Sequence, residues 1–129
     1  MKRIITFGTF DLFHIGHLNL LRNCKEKGDY LIVGVSSDEL NKLKGKETVI
    51  PLTDRIQIIQ AIKYVDEVFV EDSLDEKNNY IHKYNADMLI MGDDWIDKFN
   101  WVDCEVLYLP RTPNISSSAL KTVLQNYLC

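Results

Sequence analysis

Residues 8–17 read GTFDLFHIGH. They follow residues 2–7, a run of β-branched and aromatic side chains that predicts a buried strand. They precede residues 17–27, where apolar side chains recur at helical spacing and predict the first helix. A strand that ends in glycine and enters a helix through a short loop is where a parallel α/β fold binds phosphates.

The rest of the chain continues this alternation of strand and helix. Residues 30–35 form a continuous apolar run, which is typical of a strand covered on both faces. The pattern predicts an α/β fold, a single Rossmann-like domain over residues 1–129 with a five-stranded parallel sheet and helices on both faces. Ligands bind outside the carboxyl ends of such strands, so we expect the site after the first, fourth and fifth strands. The other predicted strands are 67–70, 88–91 and 105–109, and the other predicted helices are 38–43, 51–61 (with Thr53 or Asp54 as cap), 75–84 and 119–128.

Composition excludes several classes of protein. The chain has 129 residues, of which 46% are hydrophobic and 26% charged, as in an ordinary globular protein. A formal charge of −4 argues against nucleic acid or an anionic membrane as a partner. No apolar run approaches the roughly 18 residues of a membrane span. The cysteines, Cys24, Cys104 and Cys129, lack metal-ligand spacing, which indicates free thiols and a cytoplasmic protein.

The two histidines of residues 8–17 are the first candidate functional residues. His14 and His17 are three apart, so at a helix start they share one face, and the free amides there attract anions. Gly16 between them lets a ligand approach the backbone. Two other interpretations exist. A zinc site would need a third ligand that the neighbouring residues do not supply, and the histidines could be structural.

This segment resembles the HxGH signature of the nucleotidyltransferases, which transfer a nucleotide from an NTP to a phosphate or a carboxylate. The resemblance implies that His14 and His17 are catalytic. They would contact the bridge between the α- and β-phosphates and stabilise the transition state without a covalent intermediate. The CTP-binding residues implied in this segment are Thr9, Phe10, His14, Ile15, Gly16 and His17.

A second candidate segment, residues 111–118, reads RTPNISSS and leads into the last predicted helix. Hydroxyls at a helix start cap free amides and also bind oxyanions, so a plain serine cap is the alternative interpretation. The segment is similar to the RTxGISTS motif of cytidylyltransferases, with Pro-Asn for the usual acidic-glycine pair and serines for threonine. The resemblance implies a catalytic Arg111 and CTP β- and γ-phosphate binding. The residues concerned are Arg111, Thr112, Pro113, Asn114, Ile115, Ser116, Ser117 and Ser118.

A third segment, residues 91–95, ends the fourth predicted strand with the sequence MGDDW. The paired aspartates are equally typical of a turn. The segment resembles the glycerol-3-phosphate cytidylyltransferases of teichoic-acid pathways, as do Arg55 and residues 64–68 and 108–110. The resemblance covers essentially the whole chain, makes Asp94 a candidate at the nucleotide site, and implies a homodimer.

Four lysines complete the candidate site. Alone, Lys44 and Lys46 fit a solvated loop, but the family resemblance places Lys46 on the CTP phosphates, as a catalytic residue, and Lys44 on the acceptor. Lys63 stands where the family has arginine and is expected to bind CTP. Lys77 is expected at the acceptor, although Leu74 replaces the aromatic residue common nearby.

The implied reaction is transfer of CMP from CTP to glycerol 3-phosphate, which gives CDP-glycerol and pyrophosphate. We expect Mg²⁺ to come with the triphosphate, without a dedicated site of protein ligands. Asp11 would touch the acceptor or that ion, or would be a turn residue. The alternatives are another acceptor (ribitol, choline or ethanolamine phosphate), ATP as the nucleotide, and a nucleotide-binding module without catalysis.

Overall fold

The computed structural model describes residues 1–128, and Cys129, one of the predicted free thiols, lies outside them. Its five strands are β1 (Arg3–Gly8), β2 (Tyr30–Ser36), β3 (Glu67–Glu71), β4 (Met88–Gly92) and β5 (Glu105–Leu109). All of their pairings are parallel, and the order across the sheet is β3-β2-β1-β4-β5. The predicted five-stranded parallel sheet is confirmed.

Helices connect these strands in the predicted order. They are α1 (Ile15–Glu26), α2 (Asp38–Leu43), α3 (Leu52–Gln60), α4 (Lys77–Lys83) and α5 (Ser117–Leu128). Short 3-10 turns lie at Leu74–Glu76 and Asp93–Trp95. None of the described helices is both long and apolar enough to cross a membrane.

The core lies on both faces of the sheet because successive strand residues point to opposite sides. Ile4 belongs to a buried cluster with Leu21 of α1 and Ile59 of α3. Ile5 belongs to a second cluster on the other face, with Ile81 of α4. This arrangement explains why the strands are apolar without alternation. Cys24, fully buried on α1, packs in the first cluster.

Three helix starts differ from the predicted ones because the capping chemistry differs. α1 begins before His17, since His14 is its N-cap and its side chain accepts from the Gly16 N–H. Pro51, and not Thr53 or Asp54, lies directly before α3. Proline has no N–H group, and this costs nothing at a helix start because the N–H groups there have no partner within the helix. α5 begins before Ala119, because the Ser116 hydroxyl accepts from the N–H of that residue at 3.1 Å.

The helix predicted over residues 75–84 is also divided. Ser73 caps a 3-10 turn by accepting from the Asp75 N–H, and regular α-helix begins at Lys77. Lys77 is buried at that junction.

One glycine in the sheet makes room for an aromatic cluster beside α4. A methyl group on Gly34 would lie 2.7 Å from the rings of both Phe7 and Phe69. The absence of a side chain therefore lets these two rings meet edge to face, with their centroids 5.7 Å apart.

Candidate active site

The candidate site lies at the carboxyl edge of the sheet, where the strand order switches. β1 pairs with β2 on one side and with β4 on the other. The connections after β2 and β4 therefore run toward opposite edges of the sheet. A crevice opens between them beside β1, as at the switch point of other folds of this kind. The end of β2 also contributes to the site, which the sequence analysis did not include among the expected strand ends.

The two histidines form a compact turn at the start of α1. The Gly16 N–H donates to His14 Nδ1 at 3.0 Å, and the His14 N–H donates to His17 Nδ1 at 3.2 Å. The two rings stack with their centroids 3.9 Å apart. A methyl group on Gly16 would lie 2.8 Å from the His14 ring, so this glycine makes room for the imidazole itself rather than for a ligand.

These hydrogen bonds assign the protonation of both rings. Each Nδ1 accepts, so each neutral imidazole carries its hydrogen on Nε2 and has an N–H to donate. Burial lowers the pKa of His14, and burial together with the neighbouring His14 ring lowers the pKa of His17 to about 4. Both rings are therefore neutral at pH 7, and they supply hydrogen-bond donors rather than net charge.

Acidification should destabilise the fold through His17. Its pKa is about 4 in the folded protein and about 6.5 when unfolded, so between these values protons favour the unfolded chain. We expect a loss on the order of 3 kcal/mol as the pH falls from 7 to 4. Urea unfolding across this range should show a shallower pH dependence for His17→Asn, which keeps an acceptor but cannot titrate. Parallel curves for the two proteins would contradict the expectation.

The structure brings the segments 8–17 and 111–118 together, although about 100 residues separate them. Asn19 of α1 donates to the Thr112 hydroxyl at 3.0 Å. The Ser117 hydroxyl donates to the backbone oxygen of Asp11 at 2.5 Å. Ser116 caps α5 through an accepted hydrogen bond, so its own hydrogen can still be donated to an oxyanion.

The other residues of the second segment line the outer part of the site. Arg111 is largely exposed, and its Nε lies 3.3 Å from Asp93 Oδ1. Ile115 lies beside the histidine turn, 3.6 Å from where a Gly16 methyl group would be. Asn114 takes a left-handed conformation with φ of 65°. Ile15, Pro113, Asn114 and Ser118 are exposed.

The aspartate pair after β4 is a 3-10 turn, which was the alternative interpretation of this segment. Asp94 is exposed and Asp93 contacts Arg111, so the two carboxylates do not converge. Within residues 1–128, no three His, Cys, Asp or Glu side chains come together as a metal-ion site requires.

A small cleft of about 60 Å³ opens beside the end of β1 and holds three lysines. Lys44 donates to the Ser36 hydroxyl at 3.2 Å. Burial, reinforced by the neighbouring Lys46 charge, lowers the pKa of Lys44 to about 8. The lining residues are Phe7, Gly8, Thr9, Ser36, Lys44, Lys46, Glu71, Leu74, Lys77, Met91, Trp95 and Phe99.

Lys77, the predicted acceptor ligand, forms the floor of this cleft. It is 1% exposed and forms an ion pair with Glu71, which is equally buried. Its Nζ lies 4.1 Å from the centroid of the Phe7 ring and 4.8 Å from that of Phe99. Burial lowers the pKa of Lys77 and the Glu71 carboxylate opposes that effect. Glu71 was not among the predicted site residues, because the only unusual feature of its sequence position is a charged side chain at the end of an apolar strand.

Asp11 does not face the cleft as a ligand. Its carboxylate accepts from the N–H groups of Val49 at 2.8 Å and Ile50 at 2.9 Å, and Lys121 of α5 lies 3.0 Å away. Burial alone would raise the pKa of Asp11, but these hydrogen bonds and the lysine hold it below its usual value. Asp11 therefore fastens the loop after α2, and its contact with the acceptor or with a magnesium ion stays a prediction.

The side chains of two further residues predicted to bind CTP, Phe10 and Lys63, lie away from the cleft. The Phe10 side chain is buried in the core, where its ring meets the His17 ring with centroids 5.4 Å apart. The Phe10 ring therefore packs against the His17 ring and helps to hold it in place. Lys63 lies between α3 and β3. It is three residues before Asp66, whose N–H donates to the Leu31 carbonyl at the start of β2. This position is the amino edge of the sheet, opposite the cleft.

Arg55 of α3 has no exposed side-chain surface and holds several site loops in place. Its Nη1 donates to the carbonyls of Thr9 at 2.9 Å and Ser36 at 2.8 Å. Its Nε donates to the Ile50 carbonyl at 2.9 Å, and its Nη2 pairs with Asp38 at 2.6 Å. In the sequence, only the family resemblance distinguishes Arg55 from the other charged residues.

Comparisons with known proteins show what the chain is similar to. The sequence model of the family described as Cytidylyltransferase-like matches residues 5–123. The glycerol-3-phosphate cytidylyltransferase of Bacillus subtilis is 46% identical over 123 residues, which are 94% of this chain and 95% of that one. The enzyme of the same name from Staphylococcus aureus is 43% identical, over 96% of both chains.

A solved structure shows the same fold. The lipopolysaccharide core biosynthesis protein of Thermoplasma volcanium superposes with a TM-score of 0.74 and covers 87% of this chain and 98% of its own. Its sequence identity is 23%, so this likeness supports the fold alone.

Proposed function

The chain belongs to the cytidylyltransferase-like family, and we propose that it transfers CMP from CTP to glycerol 3-phosphate, giving CDP-glycerol and pyrophosphate. The observation that carries this proposal is the contact of residues 8–17 and the following Asn19 with residues 111–118 at the switch point of the sheet. It joins two neutral imidazole donors to a helix start and an arginine, a set suited to a triphosphate.

The reaction needs no covalent intermediate. An oxygen of the acceptor phosphate attacks the α-phosphorus of CTP, and the bond from that phosphorus to the bridging oxygen breaks. The electron pair of the broken bond leaves on pyrophosphate. A phosphate is already a competent nucleophile near neutral pH, so the protein acts by positioning the reactants and by stabilising charge.

We assign the triphosphate to the Nε2–H groups of His14 and His17, to Lys46 and Arg111, and to the start of α5. Neutral donors fit the bridging region, since they stabilise developing charge there without binding the leaving pyrophosphate as tightly as cations would. Arg111 lies on the exposed surface, where it can exchange Asp93 for a phosphate. Lys44 and Lys77 are assigned to the acceptor phosphate on the family resemblance, and both line the cleft beside β1.

Magnesium is proposed to be held by the nucleotide. The described residues offer no converging set of carboxylates, and Asp11 is engaged by Val49, Ile50 and Lys121. Mg²⁺ keeps several waters and binds readily to phosphate oxygens, so it would neutralise the triphosphate without a dedicated site.

We also propose that the protein works in the cytoplasm as a homodimer and that CDP-glycerol supplies a teichoic acid or a capsule. Family resemblance supports these proposals, and Trp101, which is 52% exposed, is one of the apolar loop residues available for contact with a partner copy. Light scattering on the purified protein would test the dimer, and a monomer at micromolar concentration would contradict it.

The reaction is tested by pyrophosphate release from Mg²⁺-CTP with a panel of phosphorylated alcohols. We expect strong and selective release with glycerol 3-phosphate. The panel includes ribitol 5-phosphate, phosphocholine and phosphoethanolamine, and ATP replaces CTP in a second series. Selective release with another acceptor would move the proposal to that acceptor. CTP binding without release for any pair would contradict catalysis.

A further inference from the structure

Glu71 ends β3 at the carboxyl edge of the sheet and is 1% exposed. One carboxylate oxygen pairs with Lys77, and the other accepts from the Ser36 hydroxyl at 3.3 Å. Burying a carboxylate is costly, and apolar side chains of similar volume are often as stable as a buried ion pair. Stability alone therefore does not explain why a charge occupies this position.

The contacts of Glu71 extend across the cleft. The Ser36 hydroxyl accepts from Lys44 Nζ at 3.2 Å, and its one hydrogen is shared between Glu71 at 3.3 Å and the Gly8 carbonyl at 3.4 Å. Lys77, Glu71, Ser36 and Lys44 thus form one continuous chain, and all four line the cleft. A single carboxylate connects the two lysines that are assigned to the acceptor phosphate.

The other charged side chains that line the cleft are positive. Lys77 faces it from α4, Lys44 and Lys46 from the loop after α2, and Arg55 of α3 lies near Lys44. Phe7 of β1 and Ser36 of β2 complete its surroundings. Without the carboxylate, mutual repulsion and burial would favour loss of protons from these lysines, since the Glu71 charge is what opposes that loss at both Lys44 and Lys77.

We propose that Glu71 is the positioning residue of the acceptor subsite, holding Lys77 and Lys44 charged and in place to bind the phosphate of the acceptor. This inference rests on the proposed reaction. Glu71 contacts neither the histidine turn nor residues 111–118 in the described structure, so its effect should fall on the acceptor and not on CTP.

Glu71→Gln removes the charge and keeps the size and the hydrogen bond with Ser36. We expect KM for glycerol 3-phosphate to rise at least about tenfold, because binding a phosphate needs charged lysines. KM for CTP should stay within about twofold. The alkaline limb of kcat/KM for the acceptor should move to lower pH by about one unit, as the lysines lose their protons earlier.

Two variants separate positioning from folding. Glu67→Gln, at the other end of β3, neutralises a partly exposed glutamate and should change neither KM nor the pH profile. The double variant Glu71→Met with Lys77→Met replaces the buried pair by apolar side chains. This double variant also removes Lys77 itself, so it serves as the folding control, and it should be as stable as wild type although it no longer binds the acceptor.

Calorimetric binding of glycerol 3-phosphate gives a readout that does not need turnover. Wild type should bind the compound and Glu71→Gln should bind it at least about tenfold more weakly, whether or not pyrophosphate is released. Unchanged acceptor affinity in a folded Glu71→Gln protein would overturn the inference, as would an equal rise in both KM values. Absence of binding to wild type would overturn it too, whereas binding without release would contradict only the proposed reaction.

Discussion

Replacing His14 with asparagine should lower kcat for pyrophosphate release by about 10²–10³-fold, which is the usual effect of removing one donor to a developing negative charge. His14 Nδ1 accepts from Gly16 and caps α1, and its Nε2–H is the group assigned to the triphosphate. Asparagine is a good N-cap, so His14→Asn keeps the helix start and removes only the Nε2 donor. Steady-state kinetics together with thermal unfolding measure both effects.

Two control variants test whether the loss of kcat is specific to the His14 Nε2 donor. His82→Asn changes an exposed histidine that pairs with Asp103 on the surface, and it should leave kcat unchanged. His14→Ala should lose turnover and also about 1 kcal/mol of stability, because the cap is lost. The catalytic assignment of His14 is wrong if folded His14→Asn turns over within about threefold of wild type.

The companion histidine should behave as part of the same unit. His17 accepts from the His14 N–H, and the two rings stack, so each holds the other in place. Removing both should therefore cost little more than removing either, as happens for residues that act together. Additive losses would indicate independent roles.

Replacing Arg55 with methionine should cost about 3–5 kcal/mol of folding free energy, a large part of the roughly 5–15 kcal/mol that holds a domain folded. Methionine fills the space but leaves the Thr9, Ser36 and Ile50 carbonyls without their donor. It also leaves Asp38 without its buried cation. For a chain of this length, the melting temperature should fall by roughly 10–20 °C.

Arginine geometry is what this position requires. Arg55→Lys keeps the charge but cannot reach several carbonyls with one ammonium group, so it should rescue little of the loss. Arg22→Met is the matched control, because Arg22 makes a single side-chain hydrogen bond to Asn19 on α1. It should cost less than about 1 kcal/mol. Similar melting temperatures for Arg55→Met and Arg22→Met would contradict the structural assignment.

Local chemistry accounts for what sequence reasoning obtained at the candidate site. The histidine spacing, the serine run before α5 and the glycine that ends β1 each act within one turn of chain, so their residues suffice to identify them. The starts of α1 and α3 were predicted at the wrong residues for a related reason. Histidine and proline are less common N-cap residues than serine or aspartate, so the sequence pattern did not indicate them.

The strand and helix order, the parallel sheet and the two motifs can be predicted from the residues alone, because periodicity and capping depend on neighbouring residues. The three-dimensional fold was needed to show that Asp11 pairs with Lys121, that Glu71 joins Lys77 to Ser36, and that Lys63 lies at the opposite edge of the sheet. These outcomes depend on which distant segments meet. A charged side chain carries no local sign of the partner that burial will give it.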